Sequence, residues 1–175
     1  MVGKAEYHTL HLMTIGEIAM VRPYFHDTVE YFKVWIHCDS WIPFELQSVD
    51  GMTPGNDIYI LPEKYESDFS KATNINHQQL FMHEFTHVWQ HQKGMNTKLR
   101  GMYSWVADYT YNIGSPFISY SMEQQAQIIS DYWAISEHGY DRWLLDSFCR
   151  QKEVEYPIIL RLYHETLAMF PYYEF

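Results

Sequence analysis

The chain has 175 residues, of which 47% are hydrophobic, 18% aromatic and 19% charged. This composition is typical of a folded globular protein rather than a disordered one, and the length predicts one domain, residues 1–175, with a single buried core. The formal net charge of −10 and the lack of any Lys or Arg run exclude nucleic acid as the expected partner.

The sequence contains no apolar stretch that approaches the length of a membrane span. Residues 1–13 lack an apolar segment long enough for a signal peptide, so the sequence predicts no signal peptide of its own. A longer parent protein is equally compatible with this start.

The sequence contains two cysteines, Cys38 and Cys149. They are predicted to be buried, unpaired thiols, with a disulfide between them as the alternative. Neither has a second Cys or a His at the spacing of a zinc knuckle. The cysteines therefore leave the cellular compartment open.

The first third of the chain predicts one helix and two strands. Thr14-Ile15-Gly16-Glu17 fits a capping box, and the apolar residues that follow have helical spacing, which predicts a helix over about 15–24. Residues 31–37 are rich in β-branched and aromatic side chains and predict a strand. Residues 57–61 predict a second strand, which ends at Pro62, and the two strands are expected to share one small sheet.

The second predicted helix begins near Asn76 and carries a conspicuous histidine motif. Asn74 or Asn76 is expected to cap its start, and Gly94 lies where a left-handed stop residue is expected. Residues 101–120 form a less regular aromatic stretch that predicts no clear element.

Three helices are predicted in the last third of the chain. Ser121-Met122-Glu123-Gln124 fits a second capping box and predicts a helix from there to about Glu137, with Gly139 as its stop. Two further helices are predicted near 141–152 and from 157 to about 169. The predicted fold class is therefore α+β, dominated by helices, with a small sheet early in the chain.

His83 and His87 lie four residues apart on the predicted helix, so their imidazoles project from one face and are able to bind one tetrahedral Zn²⁺. Glu84 lies one step round the helix, too far for a third ligand but close enough to act as general base on a water molecule activated by the metal. The alternative is two ordinary histidines beside a glutamate. The apolar neighbours disfavour that alternative, because His and Glu buried among them need a partner.

The sequence must supply a third ligand from elsewhere. The metzincin class would place Gly at position 90 and His at 93, but Gln90 and Lys93 occupy those positions, so that class is rejected. One further turn of helix carries His91 away from the metal, and we expect it to be exposed or to donate a hydrogen bond to a ligand.

Glu123 is the best candidate for the third ligand. It lies in the first turn of the helix that Ser121 opens, and Ala126 offers the small side chain that close packing against the histidine helix requires. The alternative is that Glu123 only favours the helix dipole. The sequence thus predicts one zinc ion bound by His83, His87 and Glu123.

These residues resemble the motif of gluzincin-type zinc metallopeptidases. More closely, the chain resembles a family of small peptidase toxin domains, found at the C-termini of VgrG and Rhs proteins or alone, that are effectors of bacterial type VI secretion. The resemblance covers about residues 14–133. The segments that carry it are Gly16-Glu17-Ile18-Ala19, Ile42-Pro43-Phe44, Met52-Thr53-Pro54, Asp68-Phe69-Ser70, His83-Glu84-Phe85-Thr86-His87-Val88-Trp89-Gln90 and Met122-Glu123-Gln124-Gln125-Ala126-Gln127-Ile128-Ile129.

The resemblance implies a zincin-like fold with the histidine motif on a central helix, His83, His87 and Glu123 as zinc ligands, and Glu84 as the catalytic acid and base. The chain departs from the thermolysin-like pattern at one position. There, a carboxylate four residues after the glutamate ligand orients a zinc-bound histidine, whereas this chain has Gln127. Asp131 is the nearest acid on that helix and is a candidate for the orienting role, with a helix-surface charge as the alternative.

Hydrolysis of an amide also needs a donor for the oxyanion, typically Tyr or His. The sequence does not choose among seven candidates: Tyr109, Tyr111, Tyr120, Tyr132, His138, Tyr163 and His164. By analogy with zincins, the strand over 57–61 is expected to be an edge strand that binds an extended peptide by strand addition.

The resemblance implies a secreted antibacterial effector that acts in the periplasm of a target cell, with an immunity protein as a candidate partner. Its substrate is expected to be a protein or peptide, or alternatively the peptide cross-links of the cell wall. A different class of function is a binding module that zinc only stabilises. Glu84 distinguishes these classes, since a structural site needs no base there.

Overall fold

A computed structural model describes residues 7–42, 47, 49–97 and 108–174. Within those ranges the fold is α+β, with four short strands and five α-helices. The elements are β1 (Thr9–Leu12), α1 (Ile15–Phe25), β2 (Trp35–Cys38), β3 (Gly51–Met52), β4 (Asp57–Ile60), α2 (Ile75–Gln92), α3 (Met122–His138), α4 (Tyr140–Asp146) and α5 (Tyr156–Thr166). The predicted class, α+β with helices dominant and a small early sheet, is confirmed.

The four strands form one mixed sheet in the order β1-β2-β4-β3. Strands β2 and β4 pair in parallel, with Ile36 opposite Ile58, whereas β1 and β3 pair antiparallel at the two edges. The predicted edge position of the strand over 57–61 is therefore wrong, because β4 is paired on both sides. The edge strand beside it, β3, spans only Gly51–Met52, too short to show an alternating pattern in the sequence.

The predicted strand over 31–37 is correct only in its second half. Residues Tyr31–Lys33 form a 3-10 turn, and the strand begins at Trp35. The Tyr31 ring stacks on Phe85 of α2, with ring centroids 5.9 Å apart, and its hydroxyl donates to the carbonyl of His26. This tertiary packing overrides the local strand preference of the aromatic residues.

The ends of the first three helices agree with the sequence. Thr14 and Glu17 form the predicted capping box of α1, and Asn74 caps α2. Ser121 caps α3 in the second predicted box. Gly94 and Gly139, which follow α2 and α3, have φ values of 91° and 84°, the left-handed region that glycine adopts without strain.

Helix α4 ends at Asp146, six residues before the predicted end near 152. Two contacts explain the early end. The Phe148 amide donates to Asp131 of α3 at 2.9 Å, and Lys152 donates to the carbonyl oxygens of Trp143 and Leu144 at 3.0 and 2.9 Å, which caps the helix. Helix α5 likewise ends at Thr166, short of the predicted 169.

Helices α2 and α3 pack against each other and run in opposite directions. Gln79, near the start of α2, contacts Asp131 in the middle of α3, whereas Gln90, near the end of α2, contacts Gln125 in the first turns of α3. Helix α2 also packs against α1, β3 and β4, so it is central to the described part of the fold. Eleven consecutive or near-consecutive residues of α2 are buried, so this stretch of the helix is covered on all sides.

Two other sequence predictions concern the cysteines and the membrane. Cys38 and Cys149 are both buried free thiols, as predicted. Among the residues that the structure describes, no helix has the length and apolarity that crossing a bilayer requires. Pro43, Phe44 and the first part of the aromatic stretch, 101–107, lie outside the described residues.

Phe85 holds α2 to the rest of the core, because its buried ring contacts Phe25, Tyr31 and Phe81 at centroid distances of 4.9–6.1 Å. We expect Phe85→Ala to lower the free energy of unfolding by about 3–5 kcal/mol, as loss of a buried ring does. Phe32, with 72% of its surface exposed, is the matched control, and Phe32→Ala should change that free energy by less than about 0.5 kcal/mol. Urea titration measures both, and equal losses would contradict the packing described.

Candidate metal centre

Helices α2 and α3 bring the three predicted ligands together. The Glu123 Oε2 atom lies 3.2 Å from His83 Nε2 and 3.1 Å from His87 Nε2, and the two imidazole nitrogens lie 3.3 Å apart. All three side chains are buried. About one helical turn separates the two histidines, and the first turn of α3 brings the carboxylate to them.

The triangle of ligand atoms fits a small tetrahedral cation. Zinc binds His nitrogen and carboxylate oxygen at about 2.0–2.2 Å, which places tetrahedral ligands about 3.3–3.5 Å apart. The observed separations of 3.1–3.3 Å are close to that edge length. Two His and one Glu leave a fourth position for water or substrate, the arrangement of catalytic rather than structural zinc sites. Within the described ranges, this is the one group of three or more such side chains that could hold a metal ion.

The electrostatics of the cluster favour a cation. Burial by itself opposes charge on His87, but the adjacent Glu123 carboxylate outweighs burial and raises the pKa of His87 to about 9. Burial likewise opposes charge on Glu123, but His87 and His83 outweigh it and hold the pKa of that carboxyl well below its usual range. Glu123 is therefore ionised and attracts positive charge to this point.

Glu84 lies on α2 beside the three candidate ligands. Residues of β3 and the position that follows it contact its carboxylate. Its Oε2 atom accepts a hydrogen bond from the Thr53 hydroxyl at 2.7 Å. A Cβ atom at Gly51 would lie 2.6 Å from Glu84 Oε1, so only glycine permits this close approach of β3. Burial raises the pKa of Glu84, although the two histidines and Thr53 oppose that effect. A carboxylate with a raised pKa is suited to proton transfer.

Sequence reasoning did not identify Gly51, Thr53 or Gln90 as parts of the site. Thr53 lies in the Met52-Thr53-Pro54 segment that carries the family resemblance, which was the available signal. Gln90 served only to reject the metzincin spacing, yet its Oε1 atom accepts a hydrogen bond from His87 Nδ1 at 2.7 Å. Its position three residues after His87 on one helix is the signal that could have found it.

Two connected cavities open beside the cluster. A small one, of about 40 Å³, is lined by the three ligands together with Glu84 and Thr53. A wider groove of about 530 Å³ shares His83 and Glu84 with it and extends past Gln79 and Phe148. The second cavity is large enough for part of an extended peptide.

Tyr109 is the candidate oxyanion donor that the structure places at the cluster. Its ring lies 5.8 Å from the His83 ring, centroid to centroid, and it lines both cavities. The other six candidates have neighbours elsewhere. Tyr111 and Tyr163 are buried together near Asp131, Tyr120 bonds the backbone of Asn112 and Ser115, Tyr132 contacts His164, and His138 packs on Trp133.

The structure does not bring Asp131 or His91 to the candidate ligands. Asp131 is buried, not a surface charge, and accepts hydrogen bonds from four donors, the side chains of Gln79, Gln127 and Tyr111 and the backbone of Phe148. His91 is half-buried beside Gly55 and lines neither of the two cavities. The hydrogen bond that His87 donates through Nδ1 is accepted by Gln90 instead.

The chain as a whole resembles a known bacterial secretion protein. No protein-family model matches the chain. The chain is 30% identical, over 142 residues, to the type VI secretion system spike protein VgrG2b of Pseudomonas aeruginosa, an alignment that covers 76% of the chain and 14% of the spike protein. The solved structure of the VgrG2b effector domain superposes with a TM-score of 0.62 at 26% identity, over 85% of this chain and 89% of that one. The chain is homologous to the effector domain of VgrG2b.

This homology confirms the coarser part of the family resemblance. The chain resembles the effector portion of a type VI spike protein, as the sequence segments indicated. It spans only about a seventh of the length of VgrG2b, so the properties of the whole spike protein do not transfer to it directly.

The His87–Glu123 pair predicts a pH-dependent stability in the metal-free protein. Because the pKa of His87 rises from 6.5 to about 9 on folding, its contribution is fully present below pH 6.5 and is lost as the pH rises through 9. We expect the free energy of unfolding, measured in chelator, to fall by about 3 kcal/mol between pH 6.5 and 9. Glu123→Gln removes the main cause, so its stability should be nearly constant over that range. An equal decline in both proteins would contradict this origin.

Proposed function

We propose that the chain is a zinc-dependent metallopeptidase that hydrolyses peptide bonds, with a zincin-like fold. The observation that carries the proposal is the joint arrangement of a buried His83-His87-Glu123 triangle with tetrahedral spacing and the carboxylate of Glu84 beside it. A site that only stabilised the fold would need no carboxylate in that position and would close the fourth ligand position with protein.

His83, His87 and Glu123 would hold the zinc ion. When bound, the metal would supply a Lewis acid that polarises the scissile carbonyl and activates water. Glu84 would take the proton of the attacking water and pass it to the departing amine. Thr53 holds one oxygen of Glu84, so the carboxylate keeps a fixed orientation toward the small cavity. Burial strengthens Glu84 as a base because it raises the pKa of the side chain.

Tyr109 is proposed as the donor that stabilises the oxyanion. Its phenol ring contacts the His83 ring and lines the cavity that the ligands share. A hydroxyl donor next to the position where negative charge develops lowers the barrier for amide hydrolysis.

The substrate is proposed to lie along β3. Among the residues that the structure describes, this edge strand pairs with β4 alone. It passes directly beside Glu84, so an extended peptide added to it would place an amide near the base. The groove of about 530 Å³ beyond His83 would then receive neighbouring side chains. This assignment replaces β4, which the sequence suggested for the same role.

The homology to a type VI effector domain supports a role as a secreted antibacterial toxin. We propose that it acts in the periplasm of the target cell, and that a cognate immunity protein protects the producing cell. Degradation assays on periplasmic extract and on purified cell wall distinguish a protein substrate from peptide cross-links. Loss of folding in chelator, without hydrolysis of any peptide, would favour a zinc-stabilised binding module instead.

Glu84→Gln tests the catalytic base. We expect this variant to bind zinc as the wild type does, because Glu84 is not a ligand, but to lose about 10²- to 10⁴-fold in peptide hydrolysis. Elemental analysis of the purified protein gives the metal content, and a peptide-cleavage assay gives the rate.

The matched control for Glu84→Gln is Glu165→Gln, an exposed glutamate of α5, which should keep full activity. When each variant is exported to the periplasm of a bacterial host, Glu84→Gln should lose toxicity and Glu165→Gln should retain it. A fully toxic and fully active Glu84→Gln protein would refute the peptidase proposal.

Tyr109→Phe tests the oxyanion donor. Removing one such donor typically lowers kcat by about 10²- to 10³-fold, and KM should change little because the ring remains. Tyr132→Phe is the control: it removes a hydroxyl from another of the seven candidates, one that packs between Tyr24 and Tyr163 away from the ligands. Steady-state kinetics of both variants test this assignment. An unchanged kcat in Tyr109→Phe would exclude Tyr109 as the oxyanion donor.

A further inference from the structure

We infer that Gln90 and Gln125 are positioning residues, which form a directional chain of hydrogen bonds that keeps the proton of His87 on Nδ1 and leaves Nε2 free to bind metal. The inference rests on the metal site of the proposed function and names the device that prepares one ligand.

The chain of hydrogen bonds begins at Gln125, on the first turns of α3. Its Nε2 atom donates to the backbone carbonyl oxygens of Tyr120 at 3.1 Å and Phe117 at 3.4 Å. Carbonyl oxygens only accept hydrogen bonds, so the amide has one favourable orientation. A flipped amide would place its oxygen against two other oxygens. The orientation of Gln125 therefore leaves its Oε1 atom as an acceptor for Gln90.

Gln90, on α2, is the next residue in the chain of hydrogen bonds. Its Nε2 atom donates to Gln125 Oε1 and to the backbone carbonyl of Met122, both at 3.0 Å. These two acceptors use both hydrogens of the amide group and fix its orientation in the same way. The remaining atom, Gln90 Oε1, lies 2.7 Å from His87 Nδ1.

The polarity of the chain then determines the tautomer of His87. A neutral imidazole carries one N–H group, and Gln90 Oε1 is able only to accept, so the proton belongs on Nδ1. When a metal takes the place of the proton on Nε2, this nitrogen is the one that faces His83 Nε2 and Glu123 Oε2, 3.3 and 3.1 Å away. The other tautomer would place an N–H group where a metal ligand is needed and leave Gln90 Oε1 against a lone pair.

The same hydrogen bonds fix the distance between the two ligand-bearing helices. Gln90 and Gln125 are fully buried, and Met122 is adjacent to Glu123. A buried amide that loses its partners is costly, so the pair resists separation of α2 from the start of α3. Orientation of His87 and placement of Glu123 thus depend on one buried network.

The test measures zinc affinity by chelator competition, on the full chain, with glutamine replaced by methionine, which is similar in size. We expect Gln90→Met to weaken zinc binding about 10- to 100-fold, the effect of removing an outer partner of a ligand histidine. Gln125→Met should weaken it by a smaller factor. Gln92→Met, which removes a half-buried amide on α2 that bonds Glu30 and Asn56 instead, is the matched control and should bind zinc with wild-type affinity.

The double variant Gln90→Met/Gln125→Met distinguishes this chain of hydrogen bonds, which we call the relay, from a general loss of stability. Since Gln125 acts on His87 only through Gln90, the double variant should bind zinc as weakly as Gln90→Met and no more weakly. Independent, additive losses would overturn the inference, as would wild-type affinity in a folded Gln90→Met protein.

Long-range ¹H–¹⁵N spectra of the zinc-saturated protein give a second readout that needs no activity. In the wild type, His87 should carry a slowly exchanging proton on Nδ1 and bind metal through Nε2. That proton should exchange faster in Gln90→Met and remain slow in Gln92→Met. If both relay variants fail to fold, the wild-type spectrum decides, because metal bound through Nδ1 would overturn the inference.

Failure of the relay and failure of the peptidase proposal give different results. A wild type that hydrolyses peptides while Gln90→Met retains full zinc affinity refutes the relay alone. A wild type without hydrolytic activity, in which zinc affinity still follows the relay, refutes the peptidase alone.

Discussion

The structure of the site depends on one contact, the approach of the first turn of α3 to the middle of α2. There the buried carboxylate of Glu123 lies within 3.2 Å of two imidazole nitrogens. Burying a carboxylate is costly unless an opposite charge compensates it. The histidines supply part of that compensation, which is why the pKa of His87 rises although burial alone would lower it. A bound cation would compensate the carboxylate more completely.

Two polar networks hold that contact at its ends. At the end of α2, Gln90 and Gln125 connect the helix to the residues around the start of α3. At the other end, Gln79 and Gln127 both donate to Asp131, whose second oxygen accepts from Tyr111 and from the Phe148 amide. The Asp131 network therefore joins α2, α3 and the segment that leads to Tyr109. Glutamines, which have both a donor and an acceptor, let two largely buried helices exchange hydrogen bonds without adding charge.

The sheet contributes to the site through its shortest strand. Strand β3 brings Gly51 against Glu84 and is followed by Thr53, which donates to the same carboxylate. A strand of two residues has little stability of its own, so its position depends on pairing with β4. The homologous effector domain of VgrG2b has the same overall fold, at a TM-score of 0.62, although only about a quarter of the residues are identical.

Local patterns in the sequence were sufficient for the boundaries of the first three helices and for three ligand candidates. Some features depend only on contacts within one helix and can therefore be recognised from the sequence alone. They are the capping boxes at Thr14 and Ser121 and the four-residue spacing of His83 and His87. Only the tertiary structure decided the order of the strands, the hydrogen bond from His87 to Gln90 and the placement of Tyr109 beside His83. Those features depend on contacts between segments distant in sequence, such as His83 with Tyr109 and Gln90 with Gln125, and no local periodicity encodes such contacts.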